Sequence, residues 1–255
     1  MTLLISAILS WAGVAAFCWV GAALARRSPV SQNSRTASIM FAVWWLGLAA
    51  SGFFAGIDKL VVALGDPPLS LIVGSQMLSF TALCAALAGL IYYLTFLYTG
   101  REQAFWPLVI AYAAYCLWQL RVMATLNPVG VWQTDWQVGL RYEHARDLTG
   151  AIVSFVLLLG PQLLASLALF LVVRRLPRGI LRLRVLVIAV GILLWMGSTV
   201  VTALSGVSGR LSTMIFQALL GILVGVTVLW VHQPPAWLRS RLPSEHQPEE
   251  TRAEG

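Results

Sequence analysis

LLISAILSWAGVAAFCWVGAALA, residues Leu3–Ala25, is an uncharged apolar stretch that ends at the basic pair Arg26-Arg27. At ~1.5 Å per residue, a helix of this length crosses the ~30 Å hydrocarbon layer of a bilayer. Six more apolar stretches follow: Ile39–Leu64, Leu69–Tyr98, Phe105–Leu126, Leu148–Val173, Val185–Leu204 and Leu211–Val231. A backbone inside lipid must satisfy its own hydrogen bonds, so each stretch is predicted to be a helix.

The composition supports the same fold class. Hydrophobic residues make up 59% of the chain and charged residues only 11%, and the mean hydropathy is +0.82. A water-soluble domain carries far more charge. We therefore predict an all-α protein: a seven-transmembrane-helix bundle over residues 1–231, followed by a disordered cytoplasmic tail over residues 232–255.

The arginines predict the orientation. With the N-terminus outside, the inner segments carry twelve arginines and the outer loops three, namely Arg141, Arg146 and Arg210. Cytoplasmic loops are enriched in Lys and Arg, so the N-terminus is predicted outside and the C-terminus in the cytoplasm. The expected location is the plasma membrane of a bacterial-type cell, as a multi-pass protein. The net charge of +7 lies on the inner rim, against lipid headgroups, and requires no nucleic acid.

No catalytic, metal or cofactor signature occurs in the sequence. Lys59 is the only lysine, so a retinal Schiff base on the seventh span is excluded, and the three histidines lie outside the spans. Neither a nucleophile elbow nor a phosphate-binding loop is present. The cysteines, Cys18, Cys84 and Cys116, are odd in number and lie in spans, which predicts apolar filling rather than a disulfide or metal site. We expect no cofactor and no enzyme.

Three charges enter the predicted spans. Charges at that depth are costly unless paired or wetted and mark functional sites by default. Asp58 and Arg121 lie ~9 and ~8 Å below the outer ends of their spans, so they can meet at one level. Lys59 diverges from Asp58 by ~100° and is expected to extend to the outer interface on its own side. A structural ion pair, a ligand pocket and a proton or ion pathway all remain open.

Uncharged polar residues gather at the same outer level, including Gln76, Thr202 and Gln217 from three different spans. Above them lies the outer loop Asn127–Asp147, in which apolar and polar residues alternate between Trp132 and Glu143. Period two favours an extended strand or hairpin with its aromatic face on the bundle, whereas an interfacial helix is the alternative. We predict a ligand-binding pocket open to the outside, formed by Asp58, Gln76, Arg121, Trp132, Trp136, Thr202 and Gln217.

Two short segments resemble known membrane families. Tyr98-Thr99-Gly100-Arg101 looks like the junction in seven-span sensor modules of bacterial histidine kinases. Pro161-Gln162 followed by Arg174-Arg175 is similar to the second motif of PQ-loop and sugar-efflux transporters, which also have seven spans and an outside N-terminus. The first span has Trp11-Ala12 where that family has a matching Pro-Gln.

These patterns lead to two functional hypotheses. One is a receptor-like membrane sensor that binds a small or amphipathic ligand from outside and signals through a cytoplasmic or membrane partner. The other is a small-solute transporter of PQ-loop-like architecture, which requires a polar path into the inner half. Small-xxx-small patterns at Gly52/Gly56 and Gly221/Gly225 predict close helix contacts, within the bundle and between protomers of an oligomer.

Overall fold

The computed structural model describes residues 1–26, 32–99, 106–144, 148–177, 179–204 and 211–232. In that part of the chain seven helices and one hairpin follow in the order α1 Thr2–Ala25, α2 Gln32–Leu64, α3 Leu69–Thr99, α4 Trp106–Thr125, β1 Pro128–Gln133, β2 Val138–Tyr142, α5 Leu148–Arg175, α6 Ile180–Leu204 and α7 Leu211–His232. The all-α prediction is confirmed. The predicted tail, apart from His232, lies outside the described residues.

Four helical segments are long and apolar enough to cross a membrane: Thr2–Ala25, Arg35–Leu64, Leu69–Phe96 and Leu158–Arg175. A shorter apolar segment is Ile215–Val228. Their outward faces carry large apolar side chains that the described residues leave exposed, among them Ile8, Trp19, Leu78, Leu164, Leu167, Leu219 and Leu223. Exposed apolar surface of this extent is expected where lipid is the solvent. The described part of the chain therefore has four helices that could span a membrane, which supports a membrane protein.

The helices pack in a ring. α1 contacts both α2 and α7, α2 contacts α3, α3 contacts α5, and α6 lies between α5 and α7. α4 lies against α3, outside this ring. The ring places one side of α1, α2, α3, α6 and α7 around a common interior.

An aromatic cluster fills the middle of that interior. Trp45 is 2% exposed, and its ring lies 5.5 Å from that of Phe17 on α1. Phe17 in turn meets Trp195 of α6 edge-on at 5.6 Å. Trp44 belongs to the same core cluster, and Trp195 packs against it. These rings separate the two ends of the bundle.

Glycines bring α2 close to its neighbours. A Cβ at Gly89 would lie 2.5 Å from the Met40 carbonyl oxygen. Gly56 of α2 faces the ring of Trp11 on α1. Gly225 of α7 faces Ala16, which is also on α1. The small-xxx-small patterns thus serve contacts inside the chain, as predicted, whereas the oligomer stays a prediction.

A disulfide links Cys84 of α3 to Cys116 of α4. The prediction that all three cysteines are apolar fillers is therefore wrong for this pair. Its basis was the odd number of cysteines, which cannot reveal that two spans bring two of them together. Only Cys18 is a free thiol among the described residues. The disulfide attaches α4 covalently to α3, which is part of the ring.

The loop after α4 is an antiparallel hairpin, so the extended form is confirmed and the interfacial helix is wrong. Asn127 begins it with φ 49°, a left-handed conformation that Asn tolerates, and its amide donates to the Glu143 carboxylate. The strands reverse at residues 134–137, where the Thr134 amide donates to the Gln137 carbonyl at 2.9 Å. The hairpin contacts α2 and α3 and covers one end of the ring.

Candidate functional site

A cavity of about 690 Å³ lies between the hairpin and the aromatic cluster. Its size falls within the ~300–1,000 Å³ of typical small-molecule sites. Six helices and the hairpin contribute walls, and most wall residues are apolar or small: Leu9, Gly13, Val14, Leu48, Gly52, Ala55, Phe80, Leu83, Met123, Val138, Ala218 and Gly221. Phe17 and Trp195 form the floor at mid-bundle. Apolar walls with a few polar groups are the usual composition of such sites.

Asp58 lies in this wall and is 3% exposed. The side chains of Ser75 and Gln76 on α3 lie beside its carboxylate. One oxygen, Oδ1, is fully buried and has no hydrogen-bond partner among the described residues. A buried polar atom without a partner costs free energy, so a hydrogen-bond donor that reached the Asp58 carboxylate from the cavity would be stabilised there.

Lys59 lies in the same wall and is 8% exposed. Its Nζ donates a hydrogen bond to Ser10 Oγ of α1 at 2.8 Å. The expectation that Lys59 extends to the outer interface is therefore wrong. The ~100° between consecutive helix positions does separate the two side chains, but α2 has α1 on one side and α3 on the other. The two side chains therefore point toward different neighbouring helices, and both residues line the cavity.

Serines join α2 to α3 below Asp58. Ser51 Oγ and Ser79 Oγ are 3.0 Å apart, and Ser79 Oγ also lies 3.0 Å from the Ser51 carbonyl oxygen. Ser75 Oγ donates to the Phe54 carbonyl at 3.0 Å. Sequence reasoning missed Ser10, Ser51 and Ser79 as wall residues. Ser79 lies three positions after Gln76 and Ser51 lies seven before Asp58, and these spacings could have indicated a common helix face. Ser10, on α1, had no such signal.

The hairpin forms the roof. Trp132, Gln137 and Val138 line the cavity from above. Trp132 pairs across the strands with Gly139, and a Cβ there would lie 2.4 Å from the indole ring. Only glycine leaves room for the ring to cross the neighbouring strand. The small residue opposite Trp132 is thus what lets this side chain reach the cavity.

A hydrogen-bond series ties the roof to the wall. Lys59 donates to Ser10, whose hydroxyl lies 2.9 Å from the Ser6 carbonyl oxygen. Ser6 Oγ donates to the Trp136 carbonyl in the hairpin turn at 2.8 Å. Ser6 is completely buried. Trp136 was predicted to contribute its ring, yet the contact recorded here is made by its backbone.

Four of the seven predicted site residues line the cavity: Asp58, Gln76, Trp132 and Gln217. Arg121 does not line it, and its side chain is exposed, whereas Met123 two positions later does. Two residues are ~200° around a helix, so Arg121 faces away and does not reach buried Asp58. The side chain of Thr202 is outside the described part of the structure.

Two comparisons bear on identity. No protein-family model and no curated protein matches this chain. No group of three His, Cys, Asp or Glu side chains suited to a metal ion occurs in the described ranges. The cavity and its two buried charges are the features from which function can be argued.

Proposed function

We propose that this protein is a receptor-like sensor of the plasma membrane. It has seven spans, with the N-terminus and the hairpin outside and the C-terminus in the cytoplasm. A small or amphipathic ligand enters the cavity from the hairpin side, and the protein signals its binding through a cytoplasmic or membrane partner. An oligomer is part of the same proposal.

Arginine placement supports the orientation. Arg174 and Arg175 end α5 at the side opposite to the hairpin, and both are exposed. Asp66 lies in the short connection between α2 and α3, at the hairpin side. Basic residues are retained in the cytoplasm, so the end of the bundle with Arg174 and Arg175 is the inner end. The hairpin, at the opposite end, is then outside.

The single observation that carries the ligand site is the cavity itself, with buried Asp58 in its wall and Trp132 in its roof. Its walls occupy the hairpin-side half of α2 and α3. It ends at Phe17 and Trp195, near the middle of the bundle. A blind cavity of this kind suits a molecule that binds and leaves by the same side.

The transporter alternative has less support. It requires a polar path through the other half of the bundle, where Gln162 is one of the polar side chains. Gln162 is 9% exposed and its amide donates to the Leu158 carbonyl of its own helix at 3.0 Å. Beyond the floor the interior is packed with Trp45, Leu90 and Leu169.

Binding of matched amphiphiles to the purified full-length protein in nanodiscs tests the proposal. Octylammonium, octanoate, octanol and 2-aminooctanoic acid share an apolar chain and differ in charge. We expect at least one of them to bind the wild type and to be lost in Ala55→Trp, which fills the cavity. Ala63→Trp is the matched control, because Ala63 is exposed near the end of α2.

Binding that survives Ala55→Trp, or binding by none of the four probes, contradicts the cavity as a ligand site. Uptake of a bound probe into proteoliposomes separates the two functions. Accumulation in the lumen would favour the transporter over the sensor.

A further inference from the structure

The cavity wall holds one acid and one base at consecutive positions of α2, Asp58 and Lys59. Both side chains are more than nine-tenths buried. They engage different helices, because Lys59 donates to Ser10 on α1 while Asp58 contacts Ser75 and Gln76 on α3. A buried charge is stable only when a partner satisfies it.

Each charge keeps bonding capacity. Asp58 lines the cavity, and its buried Oδ1 has no hydrogen-bond partner in the part of the chain that the structure describes. The Lys59 ammonium has three N–H donors, and Ser10 Oγ accepts one of them. A ligand group that donates can meet Asp58, and a group that accepts can meet Lys59.

Beside the polar Ser10, Gln76 and Ser79, the wall along α1, α3 and α4 is formed by apolar side chains, namely Leu9, Val14, Phe80, Leu83 and Met123. This surface suits a hydrocarbon portion. The polar end of the ligand must therefore lie against α2, and its apolar end toward Phe80 and Met123.

We infer that the cavity binds a small zwitterion with an apolar tail: a molecule with an ammonium group for Asp58 and an anionic group for Lys59. The inference rests on the proposed function and specifies the ligand of the same site. The two wall charges sum to zero, so a zwitterion satisfies both. A ligand with one charge satisfies one and leaves the other buried and uncompensated. A free amphiphilic amino acid and the headgroup of phosphatidylethanolamine both have this chemistry.

Selectivity among matched probes tests the inference in the wild-type protein. The expected result is that 2-aminooctanoic acid binds at least tenfold more tightly than octylammonium, octanoate or octanol. If a singly charged or neutral probe binds as tightly as 2-aminooctanoic acid and is lost in Ala55→Trp, the zwitterion is overturned while the ligand site stands. If no probe binds, both are overturned.

Charge variants give a second readout that a purely structural role would not produce. Asp58→Asn should shift the preference toward octanoate, because Lys59 is then the only charge in the wall. Lys59→Gln should shift it toward octylammonium. Asp66→Asn and Arg26→Gln are matched controls, because both side chains are exposed outside the cavity, and they should keep the wild-type order. Equal probe preferences in the variants and the wild type would overturn the assigned roles.

The source of the zwitterion is tested in the same nanodiscs. Adding phosphatidylethanolamine to phosphatidylcholine bilayers should weaken binding of 2-aminooctanoic acid if the lipid headgroup occupies the cavity. Phosphatidylcholine has no ammonium N–H and serves as the baseline. Unchanged binding supports a water-soluble zwitterion.

Discussion

At the residue scale, the arrangement of this protein depends on where small side chains allow helices to approach. Gly89 of α3 packs against backbone atoms of α2, at the Met40 carbonyl oxygen and the Trp44 nitrogen. Backbone atoms cannot rotate away as a side chain can. This contact fixes the spacing of the two helices that carry Asp58 and Gln76.

Gly89→Ala is therefore expected to lower the free energy of unfolding by about 1–3 kcal/mol, the usual cost of overpacking. Gly74→Ala on the same helix is the control, because nothing lies within 4 Å of a Cβ there. Alanine favours helix by about 1 kcal/mol over glycine, so the control should be neutral or stabilising. Thermal unfolding in detergent measures both, and equal midpoints would contradict the close approach.

At the element scale, two attachments decide how the parts outside the ring are held. The hairpin turn is bound through the Ser6 hydroxyl to α1, and α4 is bound through Cys84–Cys116 to α3. Both involve residues far apart in sequence. They set the roof and one side of the cavity.

Ser6→Ala should loosen the hairpin. A net hydrogen bond is worth about 1 kcal/mol, so amide exchange in residues 130–142 should accelerate about fivefold. Ser70→Ala is the control, because Ser70 is exposed at the start of α3. Hydrogen exchange with mass spectrometry measures the effect. Identical exchange in the two variants would show that the hairpin is held by its other contacts.

The disulfide predicts a simple thiol count. Of the three cysteines, one should react with maleimide in the denatured protein before reduction, and three after it. Purification without reductant and intact-mass analysis give the answer. Three reactive thiols before reduction would mean that α4 is held by packing alone.

At the scale of the whole molecule, the ring has two unlike ends. The hairpin end contains the cavity and its buried charges, whereas the opposite end has exposed arginines. The floor of aromatic rings separates them. This asymmetry gives the topology a direct test.

Single cysteines at Asp66 and Asp135 should be labelled by a membrane-impermeant maleimide added outside intact cells, and a cysteine at Pro177 only after lysis. The background variant has Cys18, Cys84 and Cys116 replaced by serine. All three test positions are exposed, so protection reports the side of the membrane. Labelling of Pro177→Cys in intact cells would reverse the proposed orientation.

The sequence by itself determined the all-α class, the approximate bounds of the helices and the extended form of the outer loop. Apolar length and period two are local properties, and the backbone must satisfy its hydrogen bonds within the same segment or hairpin. Asp58, Gln76 and Gln217 were found because polar residues in apolar stretches stand out without any knowledge of packing, and Trp132 was found from the alternation of apolar and polar residues in the outer loop.

Only the tertiary structure decided what these residues meet. The direction of a side chain around its helix depends on which neighbours flank it, and an ~200° rotation separates Met123 in the cavity wall from exposed Arg121. Lys59 was assigned to the interface because α1 was not known to lie beside it. Cys84 and Cys116 were assigned to packing for the same reason. Contacts between helices depend on distances across the ring, and these distances cannot be derived from the spacing of residues along the chain.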